Sequence, residues 1–471
     1  MIEREITLSE ILTAREERVS IQNALLDEYH VPVVSFTMNI AGPVKVTALS
    51  HRAFLWGMEQ LRLGFLQNKL KVLKEFSRHL PTGDEGYFAV DAPADRVKAI
   101  CVEIEESSAA GRLYDMDVIG LDGRKLERGS ERPCIVCGKP GRDCASRRLH
   151  SVAELQTKTG SILRSALERR DTVRLGELAS RALLEEVSVT PKPGLVDRAN
   201  NGAHRDMDFS SFQASAAALA PYWEECFREG MRKSAFPAET FAALRPIGKK
   251  AERTMLAATG GVNTHKGAIF TLGVLCGAVG RLWTAENGFP DTDAILDEAA
   301  AMTRETLEKE LPAAHWNTAG ERLYRKYGAR GIRGEVADGL PAVREIGLPV
   351  FRKLLADGLD RNHAAAVTLL HLIASVEDTN LLHRGGPAGA AWAKEAAGAL
   401  IETAPEAETG TARHCETGAH TGRGNPYSYP FRIPSLEEIA DLDRQFIERN
   451  LSPGGCADLL AVTLFLDMLT R

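Results

Sequence analysis

Pro191, Pro193, Gly194 and Gly202 forbid any helix or strand from running through residues 188–212, SVTPKPGLVDRANNGAHRDMDFSSF. Into that irregular backbone the sequence packs Lys192, Asp197, Arg198, Asn200, Asn201, His204, Arg205, Asp206 and Asp208. Helical patterns flank it on both sides, so the chain turns a polar corner here. Alone, such a stretch reads as a solvated surface loop, and its charge density suits the lining of a site as well. Further corners of the same chemistry follow it, and their recurrence favours a site.

From Lys158 onward Ala, Leu, Glu and Arg dominate, and the pattern predicts an all-α domain over 158–471. Helices are expected at 172–187, 209–229, 238–259, 269–284, 292–311, 347–354, 362–376, 388–403, 436–450 and 457–469. The polar corners sit at their ends. Gly260-Gly261-Val262-Asn263-Thr264-His265-Lys266-Gly267 runs into a helix carrying Gly273, Gly277 and Gly280, which permit close packing. A glycine-flanked turn at a helix N-terminus offers N–H groups and a positive dipole end to phosphate, and Lys266 adds a full charge. Arg330, Arg333 and Glu335 lie on a glycine-loosened loop. Glu377, Asp378 and Asn380 are expected to end a helix, with His383 and Arg384 in the loop beyond. Gly454 and Gly455 enter the last helix, a second anion-binding type of N-terminus. Residues 404–434 read as a flexible insert whose His414, Cys415 and His420 are surface residues. Each corner alone reads as a cap and a turn; together they suit a nucleoside triphosphate with Mg2+, without a G-x-x-x-x-G-K-[ST] loop.

Residues 1–157 read as a smaller α+β domain. A capping box of Thr7 and Glu10 opens a helix over 7–29. The stretch 32–46 is β-rich, a helix is expected over 51–78, and strands at 87–90, 97–104 and 111–119 precede a hairpin signal at Asp122-Gly123. Asp115 and Asp117 lie two apart, which puts both carboxylates on one face of a strand. Such a pair repels unless a cation sits between, and many phosphate-handling enzymes hold Mg2+ this way. Arg112 and Lys45 supply charge for a diphosphate. Cys134, Cys137, Cys144 and His150 have the spacing of a structural Zn2+ knuckle, although the basic residues around them also fit an anion-contacting loop.

At 471 residues the chain has material for two or three domains, and 44% hydrophobic with 26% charged residues describes an ordinary globular protein. A net charge of −6 argues against nucleic acid or an anionic membrane as partner. Residues 1–10 do not read as a secretory leader, and the chain contains no apolar run of membrane-spanning length. Eight cysteines, scattered apart from the one cluster, suggest reduced thiols and a cytoplasmic protein.

Residues from about 160 to the end resemble the triphosphoribosyl-dephospho-CoA synthases of the CitG type. The carriers are TPKPGLVDRANNGAHRDM, GVNTHKGAIFTLG, RGIRGEVADGLP, EDTNLLHRGG and NLSPGGCADLLA, in the family's order. Residues 1 to about 155 resemble CitX, through AREERVSIQ, NIAGPVK, GRLYDMDV and CIVCGKPGRDCASRRLHSVAEL. The whole resembles the fused form, with a nucleotidyltransferase-like first domain. The resemblance implies two reactions. ATP and 3′-dephospho-CoA would give 2′-(5″-triphosphoribosyl)-3′-dephospho-CoA and adenine. The phosphoribosyl-dephospho-CoA group would then pass to a serine of the citrate lyase acyl carrier protein, releasing diphosphate. The base for the first reaction would be His204, Asp206 or Glu335. Mg2+ would be held by Asp197, Glu377 and Asp378, and by Asp115 and Asp117 in the transferase. Lys192, Asn201, Asn263, His265, Lys266, Arg330, Arg333, Asn380, Arg384, Gly454 and Gly455 would bind substrate, and Lys45 and Arg112 would steady diphosphate. The rival readings are a Mg2+-dependent nucleotide hydrolase with a zinc-knuckle binding module, and a helical scaffold whose loops are mere caps.

Overall fold

A computed structural model describes residues 3–129, 131–313, 319–402 and 431–471. Most of the 404–434 stretch, with His414, Cys415 and His420, lies outside them. The chain divides into two compact units, Met1–Asp171 with Thr284–Gly288, and Thr172–Trp283 with Phe289–Arg471.

The first unit contains α1 (Leu8–Tyr29), β1 (Val33–Met38), α2 (Ala48–Gln67), β2 (Lys71–Leu80), β3 (Gly83–Asp91), α3 (Ala94–Ser107), β4 (Tyr114–Ile119) and the short α4 (Gly141–Ser146). The capping box forms: the Thr7 hydroxyl accepts from Glu10 N–H at 3.3 Å, and Thr7 N–H donates to the Glu10 carboxylate at 2.8 Å. The strands pair antiparallel in the order β2-β3-β1-β4. On one face Phe36 stacks on Phe54 of α2 at 5.0 Å and meets Tyr114 edge-on at 5.2 Å. On the other, Val33, Tyr87 and Ile119 pack against Leu25 and Leu26 of α1. Asp115 and Asp117 share this second face with Ile119, as their spacing requires.

Two expectations are corrected here. The helix expected over 51–78 stops at Gln67, and β2 follows. Lys69 adopts φ 54°, its N–H bonds to Leu66 O at 3.0 Å and Leu70 N–H to Phe65 O at 2.8 Å, which closes a Schellman motif. Glycine usually fills that left-handed position, and a lysine there hides the stop while Leu73 and Phe76 continue the apolar spacing in the sequence. The strand expected at 97–104 is α3. Its buried Val97, Ile100, Cys101 and Ile104 recur at helical spacing, and packing on the sheet overrides their β-branched preference.

The helix α5 (Val152–Ser188) begins in the first unit and ends in the second. The second unit continues all-helical: α6 (Phe209–Met231), α7 (Pro237–Ala258), α8 (Lys266–Leu282), α9 (Thr292–Ala313), α10 (Ala319–Tyr327), α11 (Gly331–Ala337), α12 (Leu348–Ala356), α13 (Arg361–Ser375), α14 (Thr379–Ile401), α15 (Leu436–Glu448) and α16 (Gly454–Leu469). Buried α8 crosses α6 where Gly230 meets Gly277 and Gly280, and a Cβ on any of the three would collide with neighbouring atoms. Two corners expected as loops are helical. Residues 331–337 form α11, and His383 and Arg384 ride the first turns of α14. Asp378 caps that helix instead of ending the previous one, and Gly386 at φ 61° kinks it before Pro387.

Candidate functional site

A cavity of about 410 Å3 lies within the second unit where the 188–208 corner meets α8, α11, α14 and α16. The corner holds its shape by spending its polar groups on itself. Asp197 accepts from Lys192 N–H at 3.1 Å, Ala199 N–H at 2.7 Å and Asn200 N–H at 3.0 Å. Asp443 of α15 accepts from Gly194 N–H and from the Asn200 amide, both at 2.8 Å. What the corner delivers to the cavity is Lys192, almost wholly buried, whose ammonium donates to Glu186 Oε1 at 2.5 Å and Glu186 O at 2.9 Å. Burial pushes the Glu186 carboxyl up, and Lys192 opposes this.

Three helix N-termini open on the same space: those of α8, α14 and α16 contribute Lys266 and Gly267, Thr379 and Asn380, and Gly454 and Gly455. Asp378 joins two of them, accepting from Asn380 N–H at 2.7 Å, Leu381 N–H at 3.1 Å and Cys456 N–H at 2.8 Å. Asp458 bonds the Ala268 N–H at the start of α8, and any side chain at Gly267 would collide with its carboxylate. Burial, with Glu186 and Asp378 nearby, drives the Asp458 carboxyl well above the carboxylate range. Burial also raises Glu335, which accepts from Ala342 N–H at 3.2 Å. Helix dipoles and basic side chains for anions thus share a cavity with carboxylates suited to a cation.

Two histidines line the cavity in different states. Arg384 donates to His204 Nδ1 at 3.1 Å, so Nε2 carries the proton and donates to Ser452 Oγ at 2.8 Å. Burial first and Arg384 second push His204 down to about 4, so it is neutral and both ring nitrogens are engaged. His265 Nδ1 meets Ser215 Oγ at 2.7 Å, while its buried Nε2 has no hydrogen-bond partner among the described residues. Burial, then Lys192, push it down to about 3.

Of the residues expected from the sequence, the cavity gathers Lys192, His204, Asn263, His265, Lys266, Glu335, Glu377, Asp378, Asn380, Arg384, Gly454 and Gly455. Asp197, Asn201, Asp206, Arg330 and Arg333 do not line it. Asp206 is largely exposed, 4.0 Å from His204 Nδ1. Arg330 pairs with Asp338 at 2.6 Å, and Arg333 approaches Glu321 at 3.8 Å. Sequence reasoning passed over Glu186 as a site residue because it belongs to a helical pattern; its signal was a carboxylate one element ahead of a lysine-bearing corner. Asp458 lies near the start of α16, where a carboxylate reads as an ordinary helix-end residue.

In the first unit, Asp115 and Asp117 line a cavity of about 580 Å3 with Lys98, Lys125, Arg128 and Arg132. Burial and the Asp115 carboxylate raise Asp117, and Lys125 at 2.5 Å opposes them. Lys98 donates to Met116 O at 3.0 Å and covers the free edge of β4. Buried Glu105 anchors Arg128 at 2.5 Å, pairs with Arg132, and accepts from Met116 N–H at 2.8 Å. Arg112 lines a neighbouring cavity of about 770 Å3, which shares Arg128, Arg132 and Arg142 with the first. Lys45 lines neither of these and donates to Ile40 O at 2.6 Å. The ligand atoms of Cys134, Cys137, Cys144 and His150 all lie within 4.8 Å of one another, as do those of His51, His79 and Asp84. The latter set is a hydrogen-bonded triad, with the Asp84 oxygens 3.0 Å from His51 Nδ1 and 2.9 Å from His79 Nδ1.

Residues 172–471 match the family model described as CitG, ATP:dephospho-CoA triphosphoribosyl transferase, and residues 6–166 match CitX, apo-citrate lyase phosphoribosyl-dephospho-CoA transferase. Protein CitXG of Haemophilus influenzae is 35% identical over 98% of this chain and 96% of its own length. The chain belongs to the CitXG family. Protein CitXG of Leuconostoc mesenteroides is 32% identical over 98% of this chain and 97% of its own length. Across 61% of this chain, a probable 2-(5″-triphosphoribosyl)-3′-dephosphocoenzyme-A synthase of Vibrio cholerae is 43% identical and is covered over 86% of its length. The resemblance noted from motifs, a fusion of CitX with CitG, is borne out. Among the described residues no helix is long and apolar enough to cross a membrane.

Proposed function

We infer that this chain is a bifunctional transferase that makes the citrate lyase prosthetic group and attaches it. The CitG part joins ATP to 3′-dephospho-CoA: the 2′-hydroxyl attacks C1′ of the ATP ribose, the C1′–N9 bond breaks, and adenine leaves with the bonding electrons. The convergence of three helix N-termini on a cavity rich in buried carboxylates carries this reading. The dipole ends of α8, α14 and α16, with Lys266 and Arg384, suit the triphosphate. Glu377, Asp378 and Asp458 would hold Mg2+, which neutralises phosphate charge when bound. The transition state has oxocarbenium character, and buried carboxylates stabilise it more than the neutral ground state. Glu335 is the candidate base for the hydroxyl proton, its raised pKa bringing it nearer the working pH. Buried His265 Nε2 is free to bond the departing base.

The CitX part, read as nucleotidyltransferase-like, passes the phosphoribosyl-dephospho-CoA group to a carrier serine. The serine oxygen bonds to the phosphorus next to the ribose, and diphosphate leaves. The mutual repulsion of Asp115 and Asp117 fits them to a divalent cation, which would stabilise the leaving diphosphate. Lys125, Arg128 and Arg132 stand on the same cavity wall.

Incubation of the chain with ATP, Mg2+, dephospho-CoA and the citrate lyase acyl carrier protein tests both halves. Adenine release reads the first reaction, and the mass gained by the carrier reads the second. Phosphate release without adenine would mark a hydrolase and end this reading.

A further inference from the structure

Among the described residues of 121–150, Cys144 alone is buried. A segment of this length without a core of its own needs another means of holding one conformation. Its backbone is nevertheless tightly turned. Cys134 N–H bonds to Lys139 O at 2.6 Å, Gly138 N–H to Cys134 O at 2.9 Å and Gly141 N–H to Arg132 O at 2.9 Å, with Gly138 at φ 72°. This turn presents Cys134 and Cys137 to the same point as Cys144 of α4 and His150, which stands just before α5. Cys137 Sγ lies 3.4 Å from Cys144 Sγ and 3.3 Å from His150 Nε2. A tetrahedral zinc ion, with Zn–S about 2.3 Å and Zn–N about 2.0 Å, sets its ligand atoms roughly 3.5–3.8 Å apart. The two Cys137 separations are close to that, and all four ligand atoms lie within 4.8 Å of one another.

We propose that Cys134, Cys137, Cys144 and His150 bind a structural Zn2+, and that this clasp builds the wall shared by the two cavities of the CitX part. Four protein ligands leave no open position, which makes the site structural. Three thiolates and one imidazole around Zn2+ carry a net charge of about −1, and Lys139, Arg142, Arg147 and Arg148 in the same segment offset it. The clasp fixes Arg132, which precedes the turn, and Arg142 of α4, and both face the Asp115 and Asp117 cavity. A disulfide would join two of the four groups and leave the other two without a role. The consequence for carrier labelling rests on the transferase reading above.

Metal analysis of the full-length protein, purified without chelator, should find about one zinc per chain. Replacement by Co2+ should give the intense visible bands of tetrahedral cobalt–thiolate. Cys144→Ser should lose the metal; His150→Cys should keep it and shift the cobalt bands toward those of a four-sulfur site, which guards against simple misfolding. Removing zinc should raise amide exchange across 131–150 and cut carrier labelling from supplied triphosphoribosyl-dephospho-CoA at least about tenfold, leaving adenine release unchanged. A chain with reduced thiols that takes up neither Zn2+ nor Co2+ overturns the site. A zinc whose removal alters neither exchange nor labelling overturns the clasp. If the zinc-loaded chain labels no carrier at all, the transferase reading fails, and metal content and exchange still decide the proposal.

Discussion

Lys192 meets no solvent, and its charge rests on Glu186 alone among the described side chains. Removing one member of a buried pair strands the other, at a cost of about 3–5 kcal/mol. Lys192→Met should therefore lower the unfolding free energy by that amount, read as a fall in the denaturant midpoint at unchanged slope, and the double variant Lys192→Met/Glu186→Leu should recover much of it. Buried neutral His265 makes a second prediction. Its folded pKa of about 3 lies below its ordinary 6.5, so between those values the unfolded chain binds the extra proton. Stability is then lost as pH falls through that window. His265→Gln should lose less stability than the parent between about pH 7.5 and about pH 5. In the CitX part, Asp115→Asn or Asp117→Asn should abolish carrier labelling and leave adenine release intact; unchanged labelling removes the metal role of the pair. At this scale the sequence named most of the polar side chains that line the cavity, because glycine and polar residues crowd the corners. It could not separate Asp197, consumed by its own turn, from Asp458, which faces the cavity.

The start of α8 is where an element and the chemistry meet. Gly267 lets Asp458 of α16 reach the first N–H groups of α8, and a methyl group there forces the two apart. Gly267→Ala should slow adenine release at least about tenfold, about 1.4 kcal/mol of barrier. Labelling from supplied triphosphoribosyl-dephospho-CoA should not change, which distinguishes a local effect from unfolding. Elements with conventional punctuation were legible: the Thr7–Glu10 box opened α1, and the glycines of α8 marked its tight crossing with α6. Elements whose ends depart from convention were not. Lys69 occupies the left-handed position that glycine usually marks, and it concealed the passage from α2 to β2. Val97 and Ile100 favour strands in isolation, yet their spacing with Cys101 and Ile104 served a helix against the sheet.

Over the whole molecule, each of the three cavities described above is lined by residues of its own unit. An Asp117→Asn chain mixed with a Glu335→Gln chain should therefore restore carrier labelling in trans, at a rate that rises with protein concentration. Absence of restoration would show that the intermediate does not pass through solution. The meeting of α8, α14 and α16 at their amino ends also sorts the fragments of the first reaction by charge. Adenine, the uncharged piece, would be held by no more than a hydrogen bond such as that offered by His265 Nε2 and should leave first. On the reading proposed above, the polyphosphate-bearing conjugate is what those three ends would retain, which should make its exit the slow event; added salt should then quicken turnover before it begins to weaken the hold on ATP.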